Sequence, residues 1–165
     1  NNHNDFISPP WVKLRELELA SLKIEDQDAT DDPEYLQWLA LLVAPGSSLG
    51  GARPKANVVD KQGHPWIAKF PSKNDHSDVA AWEMLTYLLA TESGIKMAPS
   101  KLEKYTGKHH TFLTQRFDRT SEGKRVHFAS ALTLLGYSDG QDYAQGASYL
   151  ELVDFIETSG EVKRY

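Results

Sequence analysis

An α+β fold is predicted by three features of the sequence: helical patterning before residue 46, strand patterning directly after it, and a return to helices beyond residue 119. Apolar residues recur at helical spacing over 11–24, which predicts one amphipathic helix. A second helix is predicted over 34–43 and ends at Pro45. Two helices therefore precede the first strand.

An antiparallel sheet with one helix is predicted for the middle of the chain. Two runs of strand character within 55–70 flank a Gln-Gly turn, a pattern typical of a hairpin. A helix over 77–92 follows, and Trp82 on it is expected to be a core residue. Further strands are predicted at 100–105 and 111–117.

Helices return after residue 119. A short helix is predicted over 128–135, and Ser148 with Glu151 forms a capping box that opens a longer one. The expected organisation is a helical leader, a mixed strand and helix unit, and a further helical segment, over residues 1–46, 47–119 and 120–165.

Charge and composition exclude several classes of protein. The net charge is -5, and the chain contains no cysteine, so disulfides and thiolate metal sites are excluded. Residues 1–50 carry nine acidic and three basic side chains, so direct binding to nucleic acid is not expected. No apolar run approaches the roughly 20 residues of a membrane span, so a membrane-spanning helix is not expected. No histidine pair has the spacing of a zinc site, so a bound structural metal is not expected either.

A glycine-rich segment precedes the first strand. Gly50 and Gly51 would let backbone N–H groups approach a ligand closely and surround phosphate oxygens. By itself the segment is more simply a plain connection between helix and hairpin. The segment is no P-loop, because Arg53, Pro54 and Lys55 lead into a strand rather than a helix.

Lys69 and Glu83 are the two charged residues that the patterns place among apolar neighbours. Strand alternation puts Lys69 on the same face as Ile67. Glu83 shares a helical face with Val79 and Tyr87, and a carboxylate there needs a partner, since burying it unpaired is costly. Lys69 is the natural candidate. The alternative is that Lys69 guards an edge strand against aggregation.

The order of these features resembles the ATP site of protein kinases, in which a strand lysine binds phosphates and a helix glutamate holds the lysine. Four blocks of the sequence then resemble the HipA-like serine/threonine kinases, a family that includes toxins of type II toxin–antitoxin systems. The blocks are SSLGGARPK at 47–55, WIAKFP at 66–71, RFDR at 116–119 and SALTLLG at 130–136.

This resemblance implies a kinase-type small lobe, made of an antiparallel sheet and one regulatory helix with flanking helices, followed by the start of a helical large lobe. It implies that Lys69 and Glu83 form the catalytic ion pair and that Ser48 is a regulatory phosphorylation site. The residues implied to bind ATP are Gly50, Gly51, Ala52, Arg53, Pro54 and Lys55 beside the phosphates, Lys69, and the adenine-binding hinge of Gln115, Arg116 and Phe117.

The resemblance also sets expectations for the parent protein: a bacterial cytoplasmic kinase that takes ATP and Mg²⁺, a protein substrate, and a helix-turn-helix antitoxin. Phosphoryl transfer further needs a general-base Asp, an Asn and a metal-binding Asp. The last asparagine is Asn74, so the catalytic and Mg²⁺-binding segments are expected beyond Tyr165 and this chain is expected to be an inactive fragment. Two alternatives remain. The first is a non-catalytic nucleotide-binding or protein-interaction module derived from such a kinase, and the second is an unrelated α+β binding domain.

Overall fold

The α+β class is confirmed by a computed structural model, which describes residues 10–26, 29–31, 33–42, 53–120, 122, 124–138 and 140–160. These residues form five α-helices and a four-stranded antiparallel sheet. The chain divides into two compact units, Asn1–Val126 and His127–Tyr165. Among the described helices, none combines the length and the apolar character that crossing a membrane requires.

The sheet belongs to the first unit, and its strand order is β1-β2-β4-β3, with every pair antiparallel. The predicted hairpin joins β1 to β2, and Gly63 in its turn has a φ of +85°, which suits glycine. Because β2 lies between β1 and β4, the edge-strand explanation of Lys69 is wrong. The strands are β1 (Lys55–Val59), β2 (Pro65–Lys69), β3 (Ser100–Glu103) and β4 (Thr111–Gln115).

Helix α1 (Leu14–Ile24) covers one face of this sheet. It begins after a 3-10 turn, in which the ring of Trp11 meets the ring of Trp66 edge-on, with the centroids 5.2 Å apart. Burying these apolar groups removes them from water, which is the main driving force for docking the helix. The buried core consists of Leu14, Leu17, Ala56, Val58, Trp66, Ala68, Phe70 and Leu113.

Helix α3 (Val79–Glu92) packs against β3 and β4 and brings Glu83 to the face of the sheet opposite α1. The core assignment of Trp82 is wrong, because its side chain is 63% exposed. Adjacent helical residues point about 100° apart, so a helix that turns Glu83 toward Lys69 turns Trp82 away. Between α1 and β1 in sequence lies α2 (Tyr35–Leu42).

The described part of the second unit contains two α-helices, α4 (Ala131–Leu134) and α5 (Tyr149–Ser159). Helix α4 begins later than the sequence predicts, because the Ser130 side chain accepts a hydrogen bond from the Thr133 amide at 3.2 Å and caps the helix there. The predicted capping box is present at α5, where the Ser148 amide donates to the Glu151 carboxylate at 3.0 Å.

A buried carboxylate fastens α1 to the loop between β3 and β4. Glu18 is fully buried and accepts hydrogen bonds from the amide of Thr106 (3.2 Å), the hydroxyl of Thr106 (2.5 Å) and the hydroxyl of Thr111 (2.5 Å). Three donors satisfy the carboxylate where water does not reach it. Helix α1 is therefore joined to the sheet by polar as well as apolar contacts.

The start of α3 is fixed by Asp78. Its carboxylate accepts hydrogen bonds from the amide of Ala81 at 3.1 Å and the amide of His110 at 3.2 Å, and it pairs with the ring of His110. Burial acts to raise the pKa of Asp78, but the hydrogen bonds from His110 and Ala81 outweigh it, so the pKa lies below its ordinary value. One side chain therefore caps the helix and ties it to β4.

Replacing the buried carboxylate should destabilise the first unit strongly. We expect Glu18→Ala to lower the free energy of unfolding by about 3 kcal/mol, because the buried Thr111 and the half-buried Thr106 would keep donors without an acceptor. Urea titration followed by tryptophan fluorescence measures it, since all four tryptophans lie within residues 1–126. Glu16→Ala is the matched control on the same helix, where an exposed pair with Lys13 contributes less than about 1 kcal/mol. Equal losses in both variants would contradict the assignment.

Asp78→Ala should weaken the first unit by about 1 to 2 kcal/mol at neutral pH, because α3 loses its cap. The ionised carboxylate stabilises the fold above the ordinary pKa of 3.8, and this contribution is lost as the pH falls through the lower folded-state pKa. The difference between the variant and the unaltered protein should therefore shrink on acidification below about pH 4.

Urea titrations at several pH values test this, with Glu92→Ala on the exposed end of the same helix as the control. A difference for Asp78→Ala that stays constant from neutral pH to pH 3 would show that its ionised carboxylate is not the stabilising group.

Candidate functional site

Lys69 and Glu83 form an ion pair between the central strand β2 and the helix α3. The ammonium Nζ of Lys69 donates to Oε1 of Glu83, and it also lies 5.5 Å from the centroid of the Phe112 ring. Their side chains are 32% and 34% exposed, so the pair is more accessible than the apolar pattern of the sequence suggests. The ammonium is held in place and still open to a ligand.

A cleft of about 840 Å³ opens beside this pair. It is lined by Lys69 and Glu83 and by the three residues predicted as a hinge, Gln115, Arg116 and Phe117. Its size lies within the range of small-molecule sites in proteins. Two groups of predicted site residues, far apart in sequence, thus border the same space.

Lys55 stands next to Lys69 without lining this cleft. The two residues are cross-strand partners at the end of the hairpin, so their side chains leave the same face of the sheet. Burial lowers the pKa of Lys55 below its ordinary value, and the positive charges of Lys69 and Arg53 lower it further. Two neighbouring cations on one face attract an anionic ligand.

Arg53 does not line the cleft and is bound within the protein. Its guanidinium donates to both carboxylate oxygens of Asp75, at 2.7 and 2.6 Å, and to the carbonyl oxygen of Phe70 at 3.3 Å. This hydrogen bonding lowers the pKa of Asp75 and, against the effect of burial, raises that of Arg53. Pro54 likewise lies outside the cleft lining.

The backbone of the predicted hinge is partly used by the sheet. The amide of Gln115 donates to the carbonyl oxygen of Pro99 at 2.8 Å, and the amide of Arg116 donates to that of Pro65 at 2.9 Å. A bound base would therefore have to use other backbone groups of this segment. Pro65 on β2 and Pro99 directly before β3 therefore hold the segment in place.

The side chain of Arg116 has a structural role that the sequence did not reveal. It donates to Asp118 through Nε at 2.8 Å and Nη2 at 2.6 Å, and to Oδ1 of Asn57 on β1 at 2.8 Å. Arg119 binds the same carboxylate at 2.6 Å. The RFDR block is thus an Arg–Asp–Arg cluster that fixes the end of β4 to β1.

Four predicted residues, Ser48, Gly50, Gly51 and Ala52, lie outside the described residues. The regulatory and phosphate-binding roles assigned to them stay predictions. The other predicted site residues fall into two groups. Lys69, Glu83, Gln115, Arg116 and Phe117 line the cleft, whereas Arg53, Pro54 and Lys55 lie at the end of the hairpin beside it.

The chain was compared with protein families, curated proteins and solved structures. The family model described as HipA-like C-terminal domain matches residues 47–164, which include the whole sheet and α3. No curated protein and no solved structure matches the chain. Since the matched region covers well over half of the sequence, the chain belongs to the HipA-like family through this domain.

Proposed function

We propose that this chain is the ATP-binding portion of a HipA-like serine/threonine protein kinase. The sheet with α3 corresponds to the small lobe of a kinase in this proposal, and Lys69 with Glu83 to its catalytic ion pair. The observation that carries it is the ion pair between a central strand and a helix, placed at the side of a nucleotide-sized cleft.

A stabilising role explains this ion pair poorly. Each side chain is about one-third exposed, and ion pairs at that exposure contribute little to stability. A central strand has no edge to protect, so a lysine is not needed there against aggregation. Binding a phosphate group does require an ammonium held at a fixed position, and Glu83 supplies the fixing.

The positive charge of the site suits a polyphosphate. Lys55 and Lys69 are neighbours across the hairpin, while Glu83 pairs with Lys69. Burial is the first cause of the depressed pKa of Lys55, and repulsion from the positive charges of Lys69 and Arg53 lowers this pKa further. A phosphate chain would relieve that repulsion.

The apolar part of the cleft lining suits a planar base. The lining is largely apolar, and it includes residues 115–117 of the predicted hinge. Nucleotide sites commonly combine such apolar walls with a few backbone hydrogen-bonding groups. The apolar members of the lining are Met97, Ala98, Pro99, Phe112 and Phe117.

We assign no Mg²⁺ ligand among the described residues, in which no three metal-binding side chains come together. When bound with ATP, Mg²⁺ neutralises phosphate charge. The general-base Asp and the metal ligands are proposed to lie outside this sequence. A protein substrate, a helix-turn-helix antitoxin, a cytoplasmic location and regulation through Ser48 are further proposals that rest on family membership.

Replacing Lys69 should abolish most nucleotide binding. At an ATP concentration of 100 times the dissociation constant, we expect the nucleotide to stabilise the unaltered chain by about 2.7 kcal/mol. Lys69→Met should lose most of this gain, because the phosphates lose their fixed cation. Thermal unfolding with and without ATP and Mg²⁺ measures the effect.

Lys61→Met is the matched control, since Lys61 is exposed in the turn at the other end of the same hairpin. It should keep the full stabilisation by ATP. An unchanged response in Lys69→Met would refute the proposed nucleotide site, and so would the absence of any response in the unaltered chain.

A further inference from the structure

The resemblance implies that Arg53 binds a phosphate of ATP, but its guanidinium is hydrogen-bonded within the protein. Two nitrogens of the Arg53 guanidinium donate to the two oxygens of the Asp75 carboxylate, and this bidentate pair fixes both the position and the orientation of Arg53. We call this pair the anchor of Arg53. The Asp75 side chain is only 8% exposed, so the pair is shielded on that side from water and salt. Arg53 also reaches the carbonyl oxygen of Phe70, the residue directly after Lys69.

Asp75 is itself fixed by its loop. The backbone amide of Ser72 donates to the Asp75 carboxylate at 2.9 Å. The same loop is held from α1, because Glu25 accepts hydrogen bonds from the hydroxyl of Ser72 at 2.9 Å and from the amide of Lys73 at 2.7 Å. Lys73 in turn pairs with Asp26. The anchor of Arg53 therefore rests on a loop that the leader helix supports.

The anchor of Arg53 lies at the end of the hairpin that carries both lysines of the site. Lys55 opens β1 two residues after Arg53, and Lys69 closes β2 one residue before Phe70. The amide of Phe70 donates to the carbonyl oxygen of Pro54 at 2.9 Å, directly beside the anchor. Movement of Arg53 would therefore displace the end of the hairpin that carries both cations.

We propose that Arg53 serves the nucleotide site as a positioning residue, acting through Asp75, and is not a phosphate ligand. This inference rests on the proposed function, and it replaces the expectation, implied by the resemblance, that Arg53 binds a phosphate. The leader helix takes part through Glu25, which lies before the region that the family model matches. The competing assignment is direct contact of Arg53 with a phosphate.

The two assignments give opposite results for Asp75→Asn. If Asp75 positions Arg53, this variant should raise the dissociation constant for nucleotide about tenfold, the effect of losing one charged hydrogen-bonded contact. Arg53→Gln and Arg53→Lys should do the same, because lysine keeps the charge but not the bidentate geometry. The double variant Arg53→Gln/Asp75→Asn should bind no more weakly than Arg53→Gln, since both changes remove one anchor.

Isothermal titration calorimetry of the full chain with a non-hydrolysable ATP analogue and Mg²⁺ measures these constants, at a temperature where circular dichroism shows every variant folded. Hydrogen exchange of the Phe70 amide gives a readout without nucleotide, and it should speed up in all of these variants. Arg15→Gln, an exposed position on α1, is the control and should change neither quantity.

Three results would overturn the inference. Asp75→Asn binding as tightly as the unaltered chain, or more tightly, while Arg53→Gln binds weakly would make Arg53 a phosphate ligand that Asp75 withholds. Unchanged binding in all variants would make the pair irrelevant to the site. Failure of the unaltered chain to bind the analogue would refute the proposed function itself, and the inference with it.

Discussion

The alternation of side chains along β2 governs the rest of the first unit. Trp66 and Ala68 point into the core beneath α1, while Ile67 and Lys69 leave the opposite face, where Lys69 meets Glu83. A shift of one residue in pairing would exchange the two faces and bury the ammonium in the core. Pairing on both sides, with β1 and with β4, fixes the register against such a shift.

Carboxylates do much of the positioning around this sheet. Glu18 fastens the leader helix, Asp78 caps α3, Asp75 holds Arg53, and Asp118 joins the two arginines of the RFDR block. Glu18, Asp75 and Asp78 each accept hydrogen bonds from more than one segment, whereas Asp118 binds two arginines of its own segment. The ion pair of Lys69 thus sits on a sheet whose neighbouring loops and helices have little freedom to move independently.

The sequence predicts the elements and the Lys69–Glu83 pair well, because both depend on local periodicity and short spacing. It does not predict the contact of Glu18 with Thr106, since these residues are 88 positions apart and no local pattern links them. The pairing of Arg53 with Asp75 is not predicted either, because these residues are 22 positions apart and no local pattern links them. The sequence does not predict the exposure of Trp82, because helical character does not show which face a helix turns toward a sheet.

Helix α1 has a consequence for how the HipA-like domain can be delimited. The region that matches the family begins at residue 47, yet Leu14 and Leu17 complete the hydrophobic core under the sheet. A polypeptide that begins at residue 47 would expose that sheet face, including Trp66 and Phe70, to water as a contiguous apolar surface that favours aggregation. The part of the chain that buries this sheet face is therefore larger than the region that the family model matches.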